Sequence, residues 1–191
     1  MKKLIFLFLL ISFTSKAQKR EVDDVEIIPE VGYSSSMHYN GTDYSSSLKS
    51  VNFGFAGDYY YSDRWSLRSG LLFQSMGGSD SSITNKLNYI NIPINGNYHF
   101  GKKRQWNVNF GATPSLLLIA KENGVLIDHD VKTSQLGLSA GLGYKLEISQ
   151  QFDLLFDCQG FYGLTDVSKK SGNELKNSYV NFNLGGVFLI D

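Results

Sequence analysis

The sequence contains little cysteine, little proline and no excess of either charge. Cys158 is the single cysteine among 191 residues, and one thiol excludes both an intrachain disulfide framework and a zinc site built from cysteines. Lys and Arg total 18, as do Asp and Glu, so the basic excess typical of nucleic-acid-binding proteins is missing. We therefore expect no nucleic-acid partner. Three prolines and 19 glycines instead indicate extended structure with close backbone approaches.

Long apolar runs are also scarce, and the clearest one lies at the amino terminus. Residues 4–13 are apolar apart from Ser12, follow Lys2 and Lys3, and precede the small residues Ser15 and Ala17. This run is far shorter than the roughly 20 residues that a membrane-spanning helix needs. The order of basic, apolar and small residues is typical of a secretory signal. We predict that residues 1–17 are a cleaved signal peptide and that residues 18–191 form one barrel domain.

After residue 18, apolar and polar residues alternate with a period of two, which predicts strands with one apolar face. The clearest segment starts at Trp106, where alternate residues up to Ala120 are apolar. Eight such segments, each of about ten or more residues, have the length of tilted membrane-crossing strands. The pattern predicts an all-β fold, an eight-stranded antiparallel up-and-down transmembrane β-barrel.

The connections between these segments alternate in length. Residues 62–64, 101–105 and 148–151 are predicted tight turns, whereas residues 37–47, 76–86, 121–132 and 165–177 are predicted long polar loops. Outer-membrane barrels combine short periplasmic turns with long external loops. We therefore expect a location in the cell outer membrane, surrounded by its lipid, with both termini periplasmic. The loops are then placed for contact with surface proteins or lipopolysaccharide.

Aromatic residues flank the predicted tight turns. The set comprises Tyr59, Tyr61, Trp65, Tyr98, Phe100, Trp106, Tyr144 and Phe152. Such clustering predicts a girdle at one membrane interface, because amphipathic rings prefer the headgroup region. The alternation alone also permits a soluble periplasmic barrel that binds a ligand in an apolar interior, and this alternative stays open here.

Two strand motifs resemble those of a known family. The stretch Leu87-Asn88-Tyr89-Ile90-Asn91-Ile92-Pro93-Ile94 resembles the Tyr-x-x-Ile-Pro strand of the PorT-like outer-membrane β-barrel proteins of Bacteroidetes, and Gly111-Ala112-Thr113-Pro114 resembles the Gly-x-x-Pro strand that follows it. The resemblance implies an outer-membrane barrel that is inserted by the barrel-assembly machinery. Its motifs are those of a barrel and assign no catalytic residue.

Residues whose side chains could take part in catalysis or metal binding are scattered along the chain. A third hypothesis is an outer-leaflet hydrolase, whose residue types are supplied by His38, Asp43, Ser45, Ser46 and Ser47. No Gly-x-Ser-x-Gly motif accompanies them. Asp128-His129-Asp130 is more typical of a solvated loop tip than of a metal site. We expect His99 to be interfacial and Cys158 to be a small buried hydrophobic residue. The sequence therefore predicts no catalytic, cofactor-binding or metal-binding residues and no enzyme activity.

Several charged residues share the predicted inward face of the barrel. They are Glu30, Asp58, Asp153 and Asp157, together with Arg68 and Lys145. Charges in a narrow interior must be paired or hydrated, and eight strands leave just enough room for side chains to fill the lumen. We predict a lumen plugged by ion pairs and a non-catalytic structural or interaction role for the protein. Pro93 and Pro114 are expected to mark bends in their strands.

Overall fold

The computed structural model describes residues 20–39, 46–80, 83–170 and 174–190. Within these ranges the chain forms ten strands and one 3-10 turn, Asp128–Asp130. The strands are β1 Val25–Tyr39, β2 Ser46–Ser62, β3 Trp65–Ser79, β4 Thr84–Asn91, β5 Ile94–Phe100, β6 Trp106–Glu122, β7 Val125–Leu126, β8 Ser134–Glu147, β9 Phe152–Gly163 and β10 Lys176–Ile190. Over the same ranges, no helix has the length and apolarity needed to cross a membrane.

The strands close into a ring with eight positions. Every pairing is antiparallel, and β1 closes the ring by pairing with both β2 and β10. Strands β4 and β5 share one position, because both pair with β3 on one side and β6 on the other. The two-residue strand β7 extends β6 as a hairpin. The predicted all-β, eight-stranded up-and-down barrel is confirmed.

The two ends of the barrel differ. At what we call the turn end, residues 63–64, 101–105 and 148–151 connect strands, as predicted. At the opposite loop end, strands run further than predicted: β1 reaches Tyr39 and β3 reaches Ser79. The predicted loops 37–47 and 76–86 were therefore too long. Antiparallel strand pairing therefore continues into the segments that were predicted as loops, as between Met37 and Ser178.

Of Pro93 and Pro114, which were expected to mark bends, only Pro93 lies at a break between strands. Strand β4 ends before Ile92 and β5 begins after Pro93, where a proline cannot donate to the ladder. The Ile92 amide instead donates to the Pro114 carbonyl at 2.9 Å. Pro114 itself lies in unbroken β6, opposite Leu136, and no register shift interrupts its pairing with β8. The register shift of β6 against β4 falls near Leu118.

The two faces of the barrel wall have opposite chemistry. Exposed outward residues include Val31, Phe53, Leu71, Phe110, Leu138, Phe156 and Phe182, whereas buried inward residues include Asn52, Arg68, Gln74, Asn95, Asn109 and Asp157. A soluble ligand-binding barrel would require the reverse arrangement, with its apolar side chains inside. The structure therefore does not support that alternative.

The predicted aromatic girdle is present on the outward face at the turn end. Ring centroids are 4.9 Å apart for Trp65 and Tyr98, and 6.4 Å apart both for Tyr98 and Phe100 and for Phe100 and Trp106. Trp106 continues the series to Tyr144 at 4.8 Å. These contacts join neighbouring strands in one belt, at the level where amphipathic rings meet lipid headgroups.

Candidate functional site

The half of the interior nearest the turn end, here the turn half, contains a network of buried charges. Arg68 on β3 binds Asp58 on β2 through two hydrogen bonds, Nε to Oδ1 at 2.8 Å and Nη2 to Oδ2 at 2.9 Å. Lys145 Nζ on β8 donates to Glu26 and to the Tyr60 hydroxyl, and lies 3.7 Å from Asp58 Oδ2. The network therefore connects strands from both sides of the ring.

The segment before β1 extends this network into the mouth of the barrel. Arg20 Nε lies 2.7 Å from Glu26 Oε1, and Arg20 Nη2 lies 2.8 Å from Asp153 Oδ2. Burial opposes the charge on Arg20, but the two carboxylates outweigh it and raise the pKa of the guanidinium. The Arg20 carbonyl also accepts a hydrogen bond from Arg104 Nη1 at 3.1 Å. Sequence reasoning missed Arg20, because it precedes the alternating pattern.

The middle of the interior holds a small cavity. Its volume is about 30 Å³, and its walls include Glu30, Arg68, Asn91, Asp157 and Tyr179. Such a volume accommodates roughly one or two water molecules. Asp157 Oδ1 lies 3.9 Å from Arg68 Nη1 at the edge of the charged network. The six charged residues predicted to face inward all do so, and Glu26, which shares their face, joins them.

His99 lies inside the barrel, so its predicted interfacial position was wrong. Tyr98 and Phe100 occupy the outward positions on either side, which turns His99 inward, where it is 1% exposed. Its Nε2 lies 2.9 Å from Ser66 Oγ and 3.2 Å from Asn97 Nδ2. Asn97 Nδ2 in turn donates to Asp58 Oδ2 at 3.0 Å. The Ser66 hydroxyl is completely buried, which leaves a substrate no access to it.

The half of the interior nearest the loop end, here the loop half, contains an apolar cluster. Its buried members are Met76, Leu87, Tyr89, Ala120, Val131, Phe161, Val167 and Tyr179. Phe161 and Tyr179 stack with their centroids 5.0 Å apart and an interplanar angle of 9°. Val131 and Val167 come from the two long loops, which sequence reasoning treated as solvated. These loops fold inward over the lumen.

The same two loops are tied to each other. Val131 and Ser168 form a β-bridge, and the Lys132 amide donates to the Val167 carbonyl at 2.8 Å. Lys132 Nζ pairs with Asp166 Oδ2 at 2.8 Å, and Lys170 Nζ pairs with Asp130 Oδ2 at 2.9 Å. The β6–β8 and β9–β10 loops therefore form one platform.

Hydrogen bonds hold Asp166 in its charged form. Partial burial opposes ionisation, but the Leu175 amide donates to Oδ1 at 2.8 Å and the Ser168 amide at 3.0 Å. Together with Lys132, these donors lower the pKa of the Asp166 carboxyl below its usual value. The charge of Asp166 thus stabilises the platform.

The structure describes only part of the set of residues considered for catalysis. His38 is buried inside the loop end, with Nε2 3.3 Å from Asn85 Oδ1. Asp43 and Ser45 lie outside the described residues. Asp128 Oδ1 accepts a hydrogen bond from the Ala120 amide at 2.6 Å, which stabilises the connection between β6 and β8.

The remaining candidates are the Asp128-His129-Asp130 stretch and Cys158. Across the described ranges, no group of three or more His, Cys, Asp or Glu side chains has the arrangement of a metal site. Cys158 is partly exposed on the outward face, where its cross-strand neighbours are Phe182 and Leu142. The expectation of a buried cysteine was wrong, because the apolar face of this barrel is the outer one.

Comparison with known families agrees with a barrel whose apolar residues face outward and whose polar residues face the lumen. The profile of the outer membrane protein beta-barrel domain matches residues 16–169. The chain belongs to this outer-membrane barrel family. Its location is therefore the outer membrane. No curated protein matches the chain by sequence.

Solved structures of outer-membrane barrels share the fold. The chain is similar to the outer membrane protein AlkL, solved in DMPC bilayers, with a TM-score of 0.59 and 12% identity over 94% of this chain and 96% of that one. Neisserial surface protein A gives a TM-score of 0.56 and 15% identity over 86% and 96% of the two chains. OprG from Pseudomonas aeruginosa gives 0.54 and 11% over 90% and 98%. At these identities the likeness shows the fold alone.

Proposed function

We propose that this outer-membrane barrel is a non-catalytic structural or interaction component, with a lumen closed to solutes and a contact surface formed by its loops. The observation that carries the proposal is that side chains occupy both halves of the interior. A charged network fills the turn half, an apolar cluster fills the loop half, and the cavity between them is about 30 Å³. A hydrated ion needs far more room than this cavity provides.

Planar-bilayer recording tests the closed lumen. Purified wild-type protein should give no stable conductance steps after reconstitution. Replacing Arg68 and Lys145 with Ser removes two cations that hold the turn half together and should produce a flickering leak. The matched control is Lys103→Ser at the exposed surface of the turn end, where Lys103 pairs with Glu147 at 3.5 Å. Well-defined steps from the wild type would refute the closed lumen.

The proposed orientation places the loop platform outside the cell and both termini in the periplasm. The short turns at one end and the longer connections at the other support this orientation. In a Cys158→Ser background, single cysteines at Ser46 and Gly124 should react with an impermeant reagent on intact cells. Cysteines at Asp63 and Lys103 should remain protected. The opposite labelling pattern would show that the loop end faces the periplasm and would contradict an external contact surface formed by the loops.

Biogenesis supplies a second set of tests. We propose cleavage after Ala17, which places Arg20 third in the mature chain and beside the mouth of the barrel that it enters. Amino-terminal sequencing of the mature protein should begin at Gln18.

The motif around Tyr89 and Pro93 supports a PorT-like member of the family, inserted by the barrel-assembly machinery. Depleting that machinery should reduce the heat-modifiable folded form.

A further inference from the structure

Two lysines face each other on the outward surface near the loop end. Lys86 on β4 lies directly opposite Lys121 on β6. Both side chains are exposed, and the residues next to them, Leu87 and Ala120, are buried inside the barrel. Directly opposed residues on antiparallel strands have Cβ atoms about 4.5–5.5 Å apart, and like charges in this arrangement are destabilising. The pair therefore concentrates positive charge at one point of the rim.

Some other lysines at the loop end are paired with carboxylates. Lys132 pairs with Asp166 at 2.8 Å, and Lys176 pairs with Glu174 at 3.7 Å. Over the described part of the chain, Lys86 and Lys121 form no such ion pair. On β3, the residue opposite Lys86 is Gly77, which has no side chain to cover it. The two ammonium groups are consequently open to an anion from outside the protein.

Strand geometry places this pair at the height of lipid headgroups. Trp106 of the aromatic girdle and Lys121 lie fifteen residues apart on the same strand. At a rise of about 3.3 Å per residue and a tilt of about 40°, this spacing spans roughly 38 Å along the membrane normal. A bilayer including its headgroups is about 40–45 Å thick. With Trp106 at one headgroup layer, the lysines reach the other.

We propose that Lys86 and Lys121 bind the phosphomonoester of a phosphorylated, multiply acylated glycolipid in the outer leaflet. A dianionic phosphate matches two adjacent ammonium groups, each of which donates up to three hydrogen bonds. Closer to the membrane centre on β6, Leu116 and Leu118 are exposed and offer apolar surface to the acyl chains. The choice of the outer leaflet rests on the proposed orientation, in which the loop end is external.

Native mass spectrometry of the detergent-solubilised protein tests the site. The probes are the bisphosphorylated glycolipid and its dephosphorylated form. The wild type should retain the phosphorylated lipid preferentially, and Lys86→Gln and Lys121→Gln should each weaken retention about fivefold, the factor that corresponds to about 1 kcal/mol per basic residue at an anionic surface. The matched control is Lys132→Gln, which removes a charge at the same end from an existing ion pair.

Three results would overturn the proposal. They are equal retention by the wild type and the Lys86→Gln/Lys121→Gln double variant, equal loss in the Lys132→Gln control, and retention of the dephosphorylated lipid as strong as that of the phosphorylated one. Heat-modifiability of each variant verifies that its barrel is folded. Binding in detergent is independent of orientation, so the cysteine labelling described above separates failure of the topology from failure of this site.

Discussion

The two halves of the lumen contain side chains of different chemistry. In the turn half, charged side chains such as Asp58 and Arg68 come from separate strands and bind each other through directional hydrogen bonds. In the loop half, apolar side chains such as Val167 and Phe161 pack without directional requirements. Removal of one charge leaves its partner buried and uncompensated. Removal of one apolar group leaves only a smaller contact area and a cavity. The turn half should therefore be the less tolerant of substitution.

The difference also reflects where the side chains originate. Apart from Arg20, the charges of the turn half lie on strands, and the tight turns beside them are too short to cover the lumen. The loop half instead receives Val131 and Val167 from connections long enough to fold inward. The long loops thus add apolar side chains to the interior at the loop end, whereas the buried apolar residues of the turn half, Ile28, Ala56, Leu155 and Val187, all come from strands.

The largest effect is expected in the charged network. Asp58→Ala leaves Arg68 and Lys145 without their shared carboxylate and should lower the free energy of unfolding by about 3–5 kcal/mol. Urea titration of the protein in lipid bilayers, followed by tryptophan fluorescence, measures this change. Asp63→Ala is the control, because Asp63 is exposed, and loss of its pair with Arg104 should cost about 0–1 kcal/mol. If Asp58→Ala and Asp63→Ala lowered the free energy of unfolding equally, the buried charges of the turn half would be no more sensitive to substitution than an exposed ion pair.

The outward face of the barrel should respond to charge for a different reason. Leu138 is 52% exposed toward lipid, so Leu138→Arg should lower the unfolding free energy by about 2–4 kcal/mol. The same bilayer titration applies, with Leu138→Met as the apolar control. An arginine tolerated as well as methionine would show that this face does not contact the membrane interior.

The apolar cluster of the loop half should lose less. Val167→Ala removes two methyl-sized groups from a completely buried position and should cost about 2 kcal/mol in unfolding free energy. Val125→Ala on the exposed β7 hairpin is the control and should leave stability nearly unchanged. A larger loss at Val167 than at Asp58 would reverse the proposed order of the two halves.

The smallest effect concerns the loop platform and its pH dependence. The pKa of Asp166 is lower in the folded protein than its usual value, so its contribution is complete above the usual Asp pKa and is lost as pH falls through the lowered one. Hydrogen-exchange protection of the Leu175 amide, corrected for intrinsic rates, should therefore fall in acid. Asp166→Asn should cost about 1 kcal/mol locally and abolish that dependence. An unchanged acid profile in this variant would assign the dependence to another group.

Individual residues show what could be predicted from the pattern. The period of two placed Asp58, Arg68 and Lys145 on the inner face, and it also determined the outward direction of Leu138. The same period assigns His99 to the inner face, but its position beside a tight turn suggested an interfacial residue. Arg20 lies before the first strand, where no periodicity applies. The inward folding of Val167 depends on a long-range bridge between two loops.

The sequence by itself determined the strand number, the direction of each strand face and the alternation of connection lengths, because these features depend on local spacing and composition. Which charge meets which partner was decided only by closure of the ring. Lys145 reaches Glu26, and Asp157 approaches Arg68, across large separations in sequence. The height of Lys86 and Lys121 relative to the aromatic girdle likewise depends on register and tilt. Register and closure are collective properties of the whole barrel, since every strand must pair with two neighbours at once.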